Sequence, residues 1–588
     1  MTENGDMVWW TRYFVLILQA IHKLMDDMKI KIIAILLWVW LALLPILSWA
    51  NDDKHAIEIR ADRTIIYPQR LELHGEETLL DILEMYPDLM VAGFDDLLNG
   101  EDHFDGYQLR MDNVVLSGDT RLLLTQIKAD LISKVQICDN AGVAKGRTGD
   151  GRVIDVNLLK AEEGAKGFMS LQGSTDKILS PSAQLRYGSE KTDIWSSMTL
   201  NDEYLHFQMT NRFSERDRLL SYVTHSLTEN DNVGQGFSRH ERIESFMVRL
   251  RYFHTFNEHG TELLTLLSWA HRNDPKNVLE MEFPMFHREQ LHVNSPVWLL
   301  ELNTPLLVDN LTMMLGYEGD LDVMRRTIDQ EPHGFCEEST WRVMNNDLYL
   351  QLNYATGPLR LTIGDRVMFY HYRQNGYQDN WSKNDIRNNF HVNAVLMPHR
   401  SYQIQAGYFR KFRNPSVTAL FSEPWSDQTN VLKGGNPLLE EIHMDQYKVA
   451  CTYTGHSMIA SIGGSIYHTT GSGDYWTIDS SVHKNYGALS LTAGFNIYNM
   501  VLADVCRTTF ANVRVSSKLY LPRSWQLAGC LVWYSKDAPR RQAADGKSCY
   551  ASFQLNKQLW EHWDLLVQWH DMLYSQRSAC LAGIAFRF

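Results

Sequence analysis

The sequence predicts a mainly β protein: a large antiparallel transmembrane β-barrel, preceded by a small α+β domain and a secretory leader. Three observations carry this reading. From Gly167 onward the chain runs in short segments of alternating apolar and polar residues, the period of a strand with two unlike faces. Tight turns and longer polar stretches alternate between those segments, as in a barrel whose two ends meet different compartments. The chain then ends in a strand, Cys580 to Phe588. Cys580, Ala582, Ile584, Phe586 and Phe588 share one face, and Leu581, Gly583, Ala585 and Arg587 share the other.

Composition narrows the class. The 588 residues are 44% hydrophobic, too few for a bundle of membrane helices but compatible with a barrel, in which only alternate residues meet lipid. Aromatic residues make up 11%, including 26 Tyr and 17 Trp, which suits interfacial girdles. A net charge of −14 argues against nucleic acid as a partner. The seven cysteines are scattered, with no C-x-x-C pair, so neither a zinc site nor a disulfide framework is expected, and an odd count leaves a thiol unpaired.

Lys29 and Lys31 precede an apolar run, Ile32 to Leu47, and Ser48-Trp49-Ala50 reads as a small-x-small cleavage site before Asn51. The run is short for a membrane span. Residues 28–50 are therefore read as a signal peptide cleaved between Ala50 and Asn51, with residues 1–27 an extension ahead of the true start at Met28. No lipid-anchor cysteine follows the run.

The next domain, residues 51–162, opens with short strand candidates, Ile57-Glu58-Ile59-Arg60 and Thr64 to Tyr67. Thr78 to Tyr86 reads as a helix: Leu79, Ile82, Leu83 and Tyr86 form one apolar face, Thr78 caps the start with Asp81, and Pro87 stops it. Strands at Tyr107–Met111 and Ile132–Ile137 flank a second helical stretch, Thr120–Ile127. A glycine-rich link, Gly142 to Gly151, leads into Val153–Leu158. That link lacks Gly-Lys-Ser/Thr and enters a strand rather than a helix, so it is not a phosphate cradle.

This order resembles the plug domain of TonB-dependent outer-membrane receptors. The helix ending in Tyr86-Pro87-Asp88 resembles the plug's leucine-rich helix and turn. Val114-Val115-Leu116 after Asp112-Asn113 resembles the strand at its Asp-Gly turn, and Leu131–Ile137 resembles the strand that follows. Gly149-Asp150-Gly151-Arg152-Val153-Ile154-Asp155-Val156 resembles its glycine-rich ending. The resemblance implies a plug inside a barrel of residues 163–588, a cell outer-membrane location, and contact with membrane lipid. It also implies a TonB complex as partner, a small nutrient ligand, no cofactor and no enzymatic activity. By the same resemblance the closing strand, ending in Phe588, is read by the barrel-insertion machinery.

Periodicity suggests about 20 strands, with ambiguity at Asn201–His240 and Tyr475–Asn512, against the family's 22. Asn257–Gly260, Ala355–Pro358 and Pro398–Ser401 read as tight turns, and Arg272–Ser295, Arg373–Asn388 and Lys411–His443 as long loops. In the last loop, Arg413-Asn414-Pro415-Ser416 followed by Gly435-Asn436-Pro437-Leu438-Leu439-Glu440-Glu441 resembles a block of the same receptors, with Glu440 where the family has proline. It is read as structural.

Two segments are candidates for function. Ala56-Ile57-Glu58-Ile59-Arg60-Ala61 is a weak match to the strand-forming segment that TonB engages, and is also simply a first plug strand. Tyr370, His371, Tyr372 and Arg373, with Tyr377 and Trp381, form an aromatic-rich strand end and loop that could stack on a sugar or flat chelate, or could belong to an aromatic girdle. His333 near Cys336 and Glu337 is read as a solvated loop rather than a metal site. The expected function is uptake of a scarce nutrient; the alternative is a plugged barrel acting as a non-transporting surface receptor or structural protein.

Overall fold

The computed structural model describes residues 57–59, 63–71, 73, 77–85, 107–111, 114–115, 124, 127, 129–138 and 152–159. From 163 to 587 it describes all but 175–179, 200–203, 235–236, 259, 281–284, 307–309, 332–334, 376–379, 400, 414–423, 427–431, 435–441, 456–457, 471–472, 503–505, 536–548, 561–562 and 571–578. The leader, its cleavage point, the glycine-rich link and most of Thr120–Ile127 lie outside these residues.

Among the described residues six short strands and one α-helix form the smaller assembly: β1 Ile57–Ile59, β2 Thr64–Ile66, α1 Leu79–Met85, β3 Tyr107–Met111, β4 Val114–Val115, β5 Ile132–Cys138 and β6 Arg152–Leu158. The sheet order is β1-β2-β5-β6-β3-β4, antiparallel except where β3 runs parallel to β6. The N-terminus of α1 behaves as its sequence demands. The Thr78 backbone N–H donates to Asp81 Oδ2 at 2.7 Å and its hydroxyl at 3.1 Å, so the acid three residues on satisfies the cap. Leu79, Ile82 and Leu83 turn inward and are fully buried against Val135, Ile154 and Val156 of the sheet. Each such side chain contributes about 1.5–3 kcal/mol.

That core does not end at the sheet. Trp195 and Tyr204, on neighbouring barrel strands, belong to the same buried cluster, and so do Val395 and Ile459, eight and eleven strands further around the ring from Tyr204. Only an object inside the ring can reach all of them, so the sheet occupies the lumen.

The barrel closes with 22 antiparallel strands, running from Gly164–Ser174 to Ala579–Arg587, and the last pairs with the first (Ile584 opposite Leu171). The two ambiguous stretches hold ordinary hairpins, with strands at Tyr204–Arg212 and Asp217–Gly234 in one and Leu489–Leu502 in the other. All three expected tight turns join strands at one end of the barrel. Gly357, at φ +48°, takes a left-handed turn conformation that costs other residues more.

Alternation sets the faces. On the strand Leu359–Asn375, Arg366, Met368, Tyr370 and Tyr372 are buried inward, while Ile363 and Phe369 are exposed outward. Outward apolar side chains such as Leu315, Leu350, Val449 and Ile466 form a lipid-facing band. On the strand Trp525–Tyr534 exposed tryptophans, Trp525 and Trp533, bracket it; their separation of eight residues along a tilted strand suits a band ~25 Å tall. In the closing strand Ile584 is exposed on the lipid face and Phe586 packs on Trp563 at 4.9 Å; Phe588 lies outside the described residues.

Two expected loops are not loops. Arg272–Ser295 is mostly continuous strand, since Glu262–Glu280 and Met285–Pro305 pair in register up to Glu280 opposite Met285. Arg373–Asn388 belongs likewise to Leu359–Asn375 and Asn380–His399, and Cys336 and Glu337 start another strand, Phe335–Thr356. Their polarity suggested loops. A strand outside the bilayer has water on its outer side and needs no apolar face there, while its neighbours still satisfy its backbone. Lys411–His443 remains a connection, carrying a small hairpin of Pro424–Ser426 with Leu432–Gly434; its family-like block from Gly435 lies outside the described residues.

Candidate functional site

The lumen wall carries chemistry at three levels. Toward the end away from the tight turns, Tyr370 and Tyr372 stack at 5.8 Å, nearly parallel at 8°. Phe412, from the strand Tyr402–Arg413, meets Tyr370 edge-on at 6.2 Å. The Arg387 guanidinium lies 4.6 Å from the Tyr370 ring and 5.0 Å from that of Phe412, and donates to Asp385 at 2.6 Å. Met368, Val343 and Met324 pack behind the rings. Such a cluster can stack on a flat group and supply positive charge beside it.

The candidate residues divide between the two faces of one strand. Tyr370 and Tyr372 point into the lumen. His371 and Arg373 occupy the outer face, where His371 contacts Asn384 at 2.6 Å and Arg373 is exposed and donates to Asn375. Four consecutive strand residues cannot line one site, because their side chains alternate. Trp381 pairs opposite Gln374, and Tyr377 lies outside the described residues. Arg387 and Phe412, which complete the cluster, come from neighbouring strands. Only strand register brings them beside Tyr370.

Deeper in the lumen a charge network crosses several strands. Arg366, fully buried, donates to Asp347 at 2.5 Å and 3.0 Å and to Glu318 at 2.5 Å. Its guanidinium faces the Tyr349 ring at 5.2 Å, and Tyr349 donates to Glu301 at 2.6 Å. The Tyr349 ring lies across Gly316, where an added Cβ would fall 2.1 Å from ring carbon, so any larger residue would push the ring aside. From the sheet, Arg110 on β3 interacts electrostatically with Asp155 and Glu318; burial pushes its guanidinium below its ordinary value while those acids pull it back. Charged groups this deep persist only because they are paired. Among the described residues no cluster of three His, Cys, Asp or Glu could hold a metal.

At the tight-turn end, barrel cations reach the inner sheet. Arg360 donates to Glu58 of β1 at 3.3 Å, and Tyr67 donates to the same carboxylate at 3.2 Å. Lys518 pairs with Asp81, the helix cap, and Arg186 donates to the Leu159 carbonyl. Of the segment Ala56–Ala61, the described part Ile57–Ile59 is the edge strand of the sheet. Ile57 is buried in the core and Glu58 faces the barrel rim.

No protein-family model and no curated protein matches the chain. Solved structures do. The alcaligin outer-membrane receptor FauA from Bordetella pertussis superposes with a TM-score of 0.61 at 10% identity, over 90% of this chain and 95% of that one. The unliganded ferric citrate transporter FecA gives 0.66 at 10% identity, over 90% and 97%. The ferric yersiniabactin uptake receptor FyuA from Yersinia pestis gives 0.61 at 11%, over 82% and 88%. These neighbours are transport receptors, not enzymes. With a sheet filling a closed 22-strand barrel, the chain has the fold of TonB-dependent outer-membrane receptors.

Proposed function

We propose that this protein is an outer-membrane receptor that binds a scarce nutrient on the cell exterior and imports it to the periplasm with energy from the TonB complex. The observation that carries this reading is the filled lumen: a sheet held by charged contacts inside a ring otherwise wide enough to leak. The tight-turn end is periplasmic and the long-strand end external. Tyr370, Tyr372, Phe412 and Arg387 then form the external part of the binding wall. Their rings and guanidinium suit a flat or anionic chelate, in keeping with the chelated iron named for two of the structural neighbours. Ile57–Ile59, at the sheet edge, is the strand offered to TonB. The terminal strand is the signal for barrel insertion.

The test combines growth and crosslinking. A deletion strain should grow poorly on one class of chelated nutrient, and Ile57→Cys should crosslink to TonB when that nutrient is present. Wild-type growth on every limiting nutrient together with no crosslink would favour a non-transporting receptor.

A further inference from the structure

Arg186, Arg360 and Lys518 stand on the strands Ser180–Gly188, Leu359–Asn375 and Cys506–Leu521, which are second, eleventh and eighteenth in a ring of 22 counted from Gly164–Ser174. They are therefore spread around the tight-turn rim, separated by nine, seven and six strands. Each grips a different part of the plug. Arg360 holds the first strand through Glu58, Lys518 holds the helix cap through Asp81, and Arg186 holds the exit to the barrel through the Leu159 carbonyl.

The grips differ in their access to water. The side chains of Arg360 and Glu58 are 27% and 31% exposed, whereas those of Lys518 and Asp81 are 13% and 9% exposed. A solvated pair is screened and weak, while removing one partner of a buried pair strands a charge. Asp81 also closes the cap of α1 with its other oxygen, so loss of Lys518 disturbs the helix start as well. Glu58 sits on an edge strand that pairs on one side only among the described residues, with β2.

We propose that these cations form a graded three-point suspension in which the Arg360–Glu58 pair opens first. Its opening releases β1 while Lys518 and Arg186 keep the rest of the plug seated. The first strand is thus detachable without opening the lumen, and Arg360 is the positioning residue that sets how often it detaches. This deepens the receptor reading, since a detachable first strand is what a periplasmic partner would capture. The device itself works without ligand or partner.

Hydrogen exchange read by mass spectrometry on the full barrel in lipid, with no ligand and no TonB, tests it. Arg360→Gln should speed exchange of residues 57–66 about two- to five-fold and leave residues 79–85 at the wild-type rate. Glu58→Gln, which also weakens the Tyr67 contact, should speed exchange at least as much, and adding Arg360→Gln to it should change nothing further. Lys518→Gln should instead speed exchange across 79–85 by more than about tenfold. Unchanged exchange at 57–66 in Arg360→Gln, or equal acceleration of both segments, would overturn the proposal. Unchanged heat-shifted gel mobility establishes that each variant barrel has folded. A failed transport assay with this exchange pattern intact would remove the receptor reading and leave the suspension standing.

Discussion

One arc of the barrel is tall and the other low. Between Asp217 and His399 every strand is 17–22 residues long, while the strands on the rest of the ring have 8–16. A tilted span needs only about 9–11 residues, so the longest strands of the tall arc continue about ten residues, ~30 Å, beyond the bilayer. Along one strand, Leu311–Glu331, the outward face shows both regimes. Leu315 is an exposed apolar side chain in the lipid band, and further along Arg325 pairs with Glu338 at 3.1 Å in water. Backbone pairing is continuous across the boundary; only the solvent of the outer face changes. Hydropathy therefore reports the bilayer and not the strand.

Inside the ring both regimes share one wall, and the largest effect is expected there. Arg366→Gln should lower stability by about 3–5 kcal/mol by leaving Asp347 buried without its partner, read from the urea midpoint of the barrel in lipid vesicles. A loss under about 1 kcal/mol would mean the network is wet.

The outer face gives a paired test. Leu315→Arg should cost about 2–4 kcal/mol, whereas Arg325→Leu should change stability by less than about 0.5 kcal/mol. Equal costs would place the membrane boundary elsewhere.

The smallest effect lies at the tight-turn end of the tall arc. Asp217 accepts from Ser214 at 2.6 Å, Tyr252 at 2.5 Å and His254 at 2.8 Å. Asp217→Asn keeps the shape of the side chain but removes the charge that strengthens these bonds, so it should lower the same urea midpoint, by less than Leu315→Arg does. An unchanged midpoint would show that the charge contributes nothing.

How much of this was legible follows the same physics. The α1 cap was readable because Thr78 and Asp81 are local, and the barrel because alternation and tight turns are local. Within the tall arc, Arg272–Ser295 and Arg373–Asn388 read as loops because their polarity on both faces resembles that of irregular structure. The aromatic cluster was half readable. Tyr370 and Tyr372 were found with His371 and Arg373, which face away, and Arg387 and Phe412 were missed because register, not sequence proximity, supplies them. The contact between Glu58 and Arg360 spans 302 positions, and nothing in either segment announces the other.

The seam has a consequence for biogenesis. Leu171 lies opposite Ile584, so the first barrel strand to emerge during synthesis must wait for the last before it has a partner on that side. Until then the sheet has two open edges, each a row of unpaired amides that hydrocarbon cannot solvate. A nascent or truncated chain therefore cannot settle stably in a bilayer. Synthesis of the closing strand, Ala579–Arg587, becomes the licence for entry, and any chain cut short before it is left in water, where proteases can find it.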